Sequence, residues 1–470
     1  MEKTKYEKLF KKQEQYFHSV LKQERLYARK ERLIKIKKWI KNNQSAIQTA
    51  LYNDFKKSPE EVLISEIKPV ISEINHALHS LRDWCKDKVV DTPLSLLGTK
   101  GKVVYQPKGV CLIIAPWNFP FMLAIGPIIS AIAAGNSVVL KPSEMTPHTE
   151  RLLNDMINEL FLEENIAIVC GGVPETTALL QLPWNHIFFT GSPQVGKIVM
   201  QQAAKHLTSV TLELGGRNPT IITQKANLRD TAKKLSWGKF FNNGQSCVSP
   251  NFVLIDQKIK ANFIEELKYE FVEMYGNLPK EIKKQPLTRI VNQHHFKRVK
   301  NLIETSIESG AKVVFGRQYD ETQNYIAPTV LENISVEMPI FKEEIFGPVL
   351  PILTYSTLQE ALSIIQKMET PLALYLFTTS KKEQKQILAQ TRAGTTVIND
   401  TTLQFAHANL PFGGVGTSGM GKAHGYYGFL EFTNQRSVLK QRVGFTTSQF
   451  IYPKYNKLKR MIIKFITWAE

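Results

Sequence analysis

The first 83 residues carry apolar side chains at helical spacing: Leu33, Ile36, Trp39 and Ile40 form one stripe, and Val62, Ile67, Ile71 and Ile74 another. From Lys102 the rhythm changes to short apolar runs broken by Gly, Pro and Asn. Val110–Ala115, Ser137–Leu140, Ile166–Cys170, His186–Phe189 and Ser209–Leu212 read as buried strands, with Thr149–Leu162 and Val195–His206 among the helices between them. This alternation predicts βαβ crossovers, hence a parallel sheet covered on both faces that receives ligands beyond the carboxyl ends of its strands. A second series follows Gly215-Gly216, with strands expected at Phe252–Ile255, Ala311–Phe315, Ala327–Leu331, Val349–Leu353 and Leu374–Phe377. Two α/β domains are the economical reading. No Ser/Gly-rich linker separates them, so they are expected to pack around a shared cleft.

Length and composition agree with this picture. A chain of 470 residues, at about 100–200 residues per domain, holds two or three domains, and 43% hydrophobic with 22% charged residues excludes a small binding module or a low-complexity chain. The apolar stretch from Phe121 to Ala134 contains Gly126 and Pro127 and falls short of the roughly 20 residues that a membrane-spanning helix needs. Cys85, Cys111, Cys170 and Cys247 are scattered, with no CxxC pair or partnering His, so neither a disulfide framework nor a metal site is expected. The amino terminus lacks the pattern of a signal peptide. A cytoplasmic location, at most peripheral at a membrane, is the expectation.

The net charge of +18 sits at the ends. Met1–Lys41 has 14 Lys/Arg against 5 Asp/Glu, and Lys454–Glu470 has 5 against 1, which leaves 18 − 9 − 4 = +5 for the middle. No nucleic-acid motif accompanies it, so no nucleic-acid partner is expected. In the last segment Leu458, Met461, Ile462, Phe465 and Ile466 recur at helical spacing with Lys457, Lys459, Arg460 and Lys464 between them, a basic amphipathic pattern suited to an anionic membrane or to packing on a subunit.

Candidate chemistry lies at the ends of the expected strands. Cys247 closes the polar turn Phe241-Asn-Asn-Gly-Gln-Ser-Cys247, whose backbone amides could favour a thiolate. Glu213, in Leu212-Glu-Leu-Gly-Gly216, is either desolvated and suited to general-base work or simply solvent-facing at a strand end. Ala115-Pro-Trp-Asn-Phe-Pro120 is a stiff loop in which Asn118 either caps the next helix or donates to an oxyanion. In Phe189-Thr-Gly-Ser-Pro-Gln-Val-Gly196, Ser192 is a candidate N-cap for a helix whose start could receive a pyrophosphate, although the spacing is not a dinucleotide fingerprint. Lys141-Pro-Ser-Glu144 puts a cation and a carboxylate at one strand end, where they could meet ribose hydroxyls or form a loose surface pair.

Taken together and in this order, these segments resemble the aldehyde dehydrogenase superfamily from roughly Lys102 to Leu439. Glu343-Glu-Ile-Phe-Gly-Pro348 adds a further match, and Leu410-Pro-Phe-Gly-Gly-Val-Gly-Thr-Ser-Gly-Met-Gly421 looks like the class 3 branch of fatty and aromatic aldehyde dehydrogenases. The resemblance implies an aldehyde dehydrogenase-like fold of two Rossmann-type α/β domains plus a small β oligomerisation arm. Residues 1–83 and 102–214 would bind NAD(P), 215–400 would be catalytic, 84–101 and 401–440 would bridge subunits of a homodimer, and 441–470 would be the basic tail.

The resemblance assigns Cys247 as nucleophile, Glu213 as general base and Asn118 as oxyanion donor. It places Lys141 and Glu144 at the adenosine ribose, Gly191, Ser192 and Val195 at the pyrophosphate helix, Trp117, Glu344 and Phe346 toward the nicotinamide end, and Asn399 as a structural residue. NAD is the implied cofactor, with NADP open. The implied reaction oxidises an apolar long-chain, aromatic or polyene aldehyde to the acid through a thioester. Two departures, Pro193-Gln194 and Arg217-Asn218, are expected to leave the chemistry untouched. A coenzyme A-acylating enzyme is the nearest alternative, disfavoured because such relatives generally lack the base at Glu213; a non-catalytic membrane-surface protein is the other.

Overall fold

The computed structural model describes residues 2–93, 96–276, 287–444 and 446–469. Leu33, Ile36, Trp39 and Ile40 line the inner face of the Leu26–Asn42 helix, and all four are buried. Val62, Ile67 and Ile74 follow on Pro59–Val62, Leu63–Ile67 and Lys68–Trp84. The Leu63–Ile67 turn is a π-turn that carries Ser65, Glu66 and Ile67 inside. There Glu66 pairs with Lys57 at 2.8 Å, both side chains fully buried, and its second oxygen accepts the Met122 N–H at 2.9 Å. One carboxylate therefore ties the amino-terminal helices to the Met122–Ala134 helix. That helix is apolar on every side and lies in the core, which is why its sequence looks almost like a membrane span. It ends on Gly135, whose φ of +93° gives the left-handed cap that glycine adopts without a Cβ penalty. No helix among the described residues is long and apolar enough to cross a membrane.

The first sheet has six strands in the order Gly419–Met420, Ser209–Leu214, His186–Gly191, Val110–Ile114, Ser137–Lys141 and Ile166–Ile168. All pairs are parallel except the short Gly419–Met420 edge. The chain leaves Val110–Ile114 in one direction through Ser137–Lys141, then returns to the other side at His186–Gly191. This reversal is a topological switch point, and crevices form there because the loops on either side diverge. The 115–121 loop and the Pro193–Ala204 helix start at that point.

The second sheet has seven strands in the order Lys312–Phe315, Thr329–Glu332, Val349–Tyr355, Phe252–Asp256, Pro219–Ile222, Ala373–Phe377 and Thr395–Ile398. Only the Lys312–Phe315 edge is antiparallel. A separate antiparallel ribbon joins Lys88–Val90, Thr99–Pro107 and Thr433–Gln441. Thr99–Pro107 pairs with Thr433–Gln441 along its whole length, so the division expected at 101/102 falls inside a continuous strand. A strand has no reason to stop where its sequence turns from polar to apolar if its partner continues.

Replacing Lys57 by Met would leave the Glu66 carboxylate charged and buried. The expected cost is about 3–5 kcal/mol of stability, read as a lower urea midpoint. An unchanged midpoint would show that the pair does not hold the helical segment.

Candidate active site

The strand Ser209–Leu214 carries Glu213 inward. Its side chain is 6% exposed and neither carboxylate oxygen has a hydrogen-bond partner among the described residues, so the desolvated alternative holds. Burial pushes the Glu213 carboxyl well above its ordinary range, opposed by the charge of Lys422 and reinforced by that of Glu431. A general base that must accept a proton near neutral pH needs such a shift.

Cys247 faces the same cavity as Glu213, together with Thr190, Leu214, Phe405 and His424. Its loop is an unusual piece of backbone. Asn242, Asn243 and Gly244 have φ of 51°, 53° and 72°, three successive left-handed residues, a conformation that asparagine tolerates better than most side chains. At Gly244 a Cβ would lie 2.2 Å from the Gly347 carbonyl oxygen, so only glycine fits. Buried hydrogen bonds hold the turn. The Asn242 amide Nδ2 donates to the Asn118 carbonyl at 2.9 Å and to the Gln245 carbonyl at 3.0 Å, and Glu61 accepts the Asn242 N–H at 2.7 Å. Gln245 in turn donates to the Arg289 carbonyl and accepts from the Val291 N–H.

These bonds bring Asn118 to the cysteine loop. Asn118 is buried. It does not cap the following helix, whose N-cap is Phe121 without a side-chain bond. Burial pushes the Cys247 thiol up to about 12, with the negative charges of Glu344 and Glu213 adding to the effect. Backbone amides alone do not give a resting thiolate, contrary to what the polar turn suggests; in a dry cavity facing two carboxyls, desolvation outweighs them.

Asn218 corrects a second expectation. The Arg217-Asn218 departure touches the chemistry directly: Asn218 Nδ2 donates to the Cys247 carbonyl at 2.7 Å and the Ser249 carbonyl at 3.0 Å, while its Oδ1 accepts the Ala373 N–H at 2.8 Å. The residue thus clamps the backbone of Cys247 to the second sheet. Lys239, also unmarked by any motif, donates its buried Nζ to the Pro250 carbonyl at 2.9 Å. Burial draws that ammonium down to about 7. Glu61 and Lys239 lie outside every motif read from the sequence, and Asn242, though inside the cysteine turn, shows its role only through the distant Asn118 carbonyl.

The nucleotide-type residues gather at the switch point. Ser192 Oγ accepts the Val195 N–H at 3.3 Å, capping the helix after Gly191, and Val195 is exposed on its first turn. Lys141 is buried at the end of its strand, binds the Pro142 carbonyl and pairs with the exposed Glu144 at 3.6 Å. Across the cleft, Glu344 accepts the Gly216 N–H at 3.1 Å. Burial raises its carboxyl to about 7. Trp117 stacks near His295 and Phe346, with ring centroids 5.1 and 5.2 Å away. Asn399 lies at the carboxyl end of the second sheet, where its amide bonds both the N–H and the carbonyl of Thr378, a structural role. Among the described residues no cluster could hold a metal ion.

A cavity of about 560 Å³ opens from Cys247 between Phe119, Met122, Leu123, Trp237, Phe241 and Phe405, and reaches Lys68 and Glu73 on the amino-terminal helices. Its walls are mainly apolar.

The chain matches the model of the aldehyde dehydrogenase family over residues 1–438, so the likeness includes the amino-terminal helices as well as the region from Lys102. It is 41% identical over 432 residues to the 4,4'-diaponeurosporen-aldehyde dehydrogenase of Staphylococcus aureus, covering 92% of this chain and 93% of that protein. It is 41% identical over 414 residues to a mouse protein named aldehyde dehydrogenase, dimeric NADP-preferring, covering 88% and 90%. A solved substrate-bound state of Staphylococcus aureus AldH superposes with a TM-score of 0.93 at 40% identity, covering 98% of this chain and 99% of the other.

Asn218→Ala would leave the Cys247 carbonyl without its anchor. Displacement of a nucleophile by about 1 Å costs on the order of 10²-fold, so kcat/KM in the dehydrogenase assay should fall roughly 10- to 100-fold while circular dichroism stays native. Wild-type kinetics would remove Asn218 from the positioning of Cys247.

Proposed function

The chain belongs to the aldehyde dehydrogenase family, and from that premise we propose that it oxidises apolar aldehydes to carboxylic acids with NAD as the preferred acceptor. The observation that carries this reading is the shared cavity of Cys247 and Glu213, closed by apolar walls. Family members oxidise aldehydes with NAD or NADP. The residues at the switch point fit such a dinucleotide: a capped helix start suits a pyrophosphate, and a buried ammonium beside an exposed carboxylate suits the hydroxyls of a ribose. When bound, the nicotinamide accepts the hydride and brings positive charge to the cleft.

In the proposed mechanism Cys247 Sγ gives its proton to solvent and adds to the aldehyde carbonyl. Asn118 and the Cys247 N–H stabilise the oxyanion, each donor of this kind contributing about 3–4 kcal/mol. Loss of hydride leaves a thioester on Cys247. Glu213 takes a proton from the water that attacks this thioester, the acid leaves, and the thiol is restored. Because Glu213 must be ionised to act and its carboxyl is raised, hydrolysis falls as pH drops through that raised value. An ionisable carboxyl in the cavity favours water over coenzyme A as acyl acceptor.

The apolar channel supports a long-chain, aromatic or polyene substrate, and the relative named for 4,4'-diaponeurosporen-aldehyde supports the same class. Glu144 would oppose a 2′-phosphate, which favours NAD, while the NADP-preferring relative keeps NADP as the second acceptor. A homodimer through the antiparallel ribbon is supported by the exposed Val89, Leu97 and Leu439 there.

The basic tail supports a peripheral membrane role for an otherwise cytoplasmic enzyme. Lys457–Ala469 is helical, and Leu458, Met461 and Phe465 remain exposed beside Lys457, Arg460 and Lys464. Ile462 is half-buried, and the side chain of Ile466 lies outside the described residues.

Two experiments test this reading. Across a panel of aldehydes of rising chain length with each cofactor, Cys247→Ala should abolish nicotinamide reduction. Glu213→Gln should keep a single-turnover burst and lose roughly 10²- to 10⁴-fold in steady-state rate, without rescue by coenzyme A. Coenzyme A-dependent turnover, or activity surviving without the thiol, would sink the proposal. For the tail, vesicles containing phosphatidylserine should co-sediment the full chain and lose it on truncation before Tyr452; equal sedimentation of both would refute the membrane role.

A further inference from the structure

Lys422 has no part in the mechanism above, yet it lies against the general base. Its Nζ donates to the carbonyls of Gly413 at 2.8 Å and Gly414 at 3.1 Å. A Cβ built on Gly413 would stand 2.7 Å from Glu213 Oε1 and 3.1 Å from Lys422 Cδ, so both side chains rest on the same glycine. The neighbouring edge strand brings them together, since Gly419 pairs with Glu213 and Met420 with Leu212 two residues before Lys422.

Glu431, on the Gly425–Glu431 helix, fixes the turn from the other side. Its Oε1 accepts the Lys422 N–H at 3.1 Å, and its Oε2 accepts the Thr211 hydroxyl at 2.7 Å. Thr211 stands two residues before Glu213 and so shares its face of the sheet. The Thr211 hydroxyl also lies 3.1 Å from Nε2 of His186, whose Nδ1 meets Ser209 at 2.9 Å and Lys108 at 3.2 Å. Burial holds His186 well below its ordinary range, hence neutral. The groups around Glu213 are therefore Lys422 and Glu431 on the edge side, Cys247 and His424 on the cavity side, and the neutral His186 with Lys108 beyond Glu431.

We propose that Lys422 is the positioning residue of the general base: its ammonium, pinned on the Gly413 and Gly414 carbonyls, keeps the buried Glu213 carboxyl ionisable, and Glu431 holds Lys422 in place while offsetting part of its charge. This rests on Glu213 being the base. The physical reason is that a carboxylate in a dry cavity, with no hydrogen-bond donor, would otherwise stay protonated through the working pH range. At an effective dielectric near 20, a single charge in the neighbourhood of a carboxyl moves its titration by roughly one to two pH units.

The test uses 4-nitrophenyl acetate with the full-length enzyme, which needs no cofactor or hydride step. Cys247 Sγ displaces 4-nitrophenolate, its proton going to solvent, and water then releases acetate with Glu213 taking the water's proton. The burst thus reports the thiol and the steady phase reports water attack. Lys422→Met should keep a burst while the midpoint of the acid limb of the steady phase moves up by about one pH unit, and Lys422→Arg should return it toward wild type. Glu431→Gln, which preserves the hydrogen-bonding shape, should move the midpoint down. Coincident midpoints for Lys422→Met and wild type overturn the proposal, as does a Glu431→Gln midpoint that stays or rises. Glu213→Gln is the control that separates the two readings: if its steady phase survived, the assignment of the base itself would fall.

Discussion

The side-chain amide of Asn242 makes the site a site. It bonds the carbonyl of Asn118, on a loop of the first sheet, and the carbonyl of Gln245, on the loop of the nucleophile. Two sheets that share no strand pairing are thereby held with their reactive loops in contact. The same residue must adopt φ of +51° and hand its N–H to Glu61. Backbone strain here is offset by buried hydrogen bonds, each of which would be costly to leave unmade. Asn218 does the same for the far side of Cys247. Cys247 is thus gripped by side-chain amides, which set geometry without adding charge to the cavity.

Dryness is the second constraint. Burial at and around the cavity desolvates its ionisable groups, and each shifts toward its neutral form: Cys247, Glu213 and Glu344 are pushed up, while the ammonium of Lys239 is drawn down. Positive charge becomes the scarce quantity there, supplied to Glu213 by Lys422.

Much of this was legible in the amino-acid order. Short apolar runs such as Val110–Ile114 and Ser137–Lys141 are buried on both faces and therefore need no alternation, so they stand out as parallel strands. Cys247, Glu213 and Asn118 stood out as candidates because each sits in a local motif next to a strand end. Asn218 was misjudged, and Glu61, Lys239 and Lys422 carried no signal, because their partners are backbone carbonyls or amides that only the folded turns and sheets present to them. The strand across residue 101 was not legible for a related reason: Thr99–Pro107 is a strand through its pairing with Thr433–Gln441, more than three hundred positions away in the chain.

The sequence by itself determined the period of each element, the family likeness and the candidates for the reacting groups, since these depend on side-chain type and short spacing. Only the tertiary structure decided which groups are charged and what holds them. A pKa depends on the solvent that the whole fold removes, and a hydrogen bond to a distant carbonyl depends on where that carbonyl is carried. Glu213 is the clearest case: one glutamate between two leucines, which the sequence left as either desolvated or solvent-facing and which the fold buries, with Lys422 on the adjoining turn.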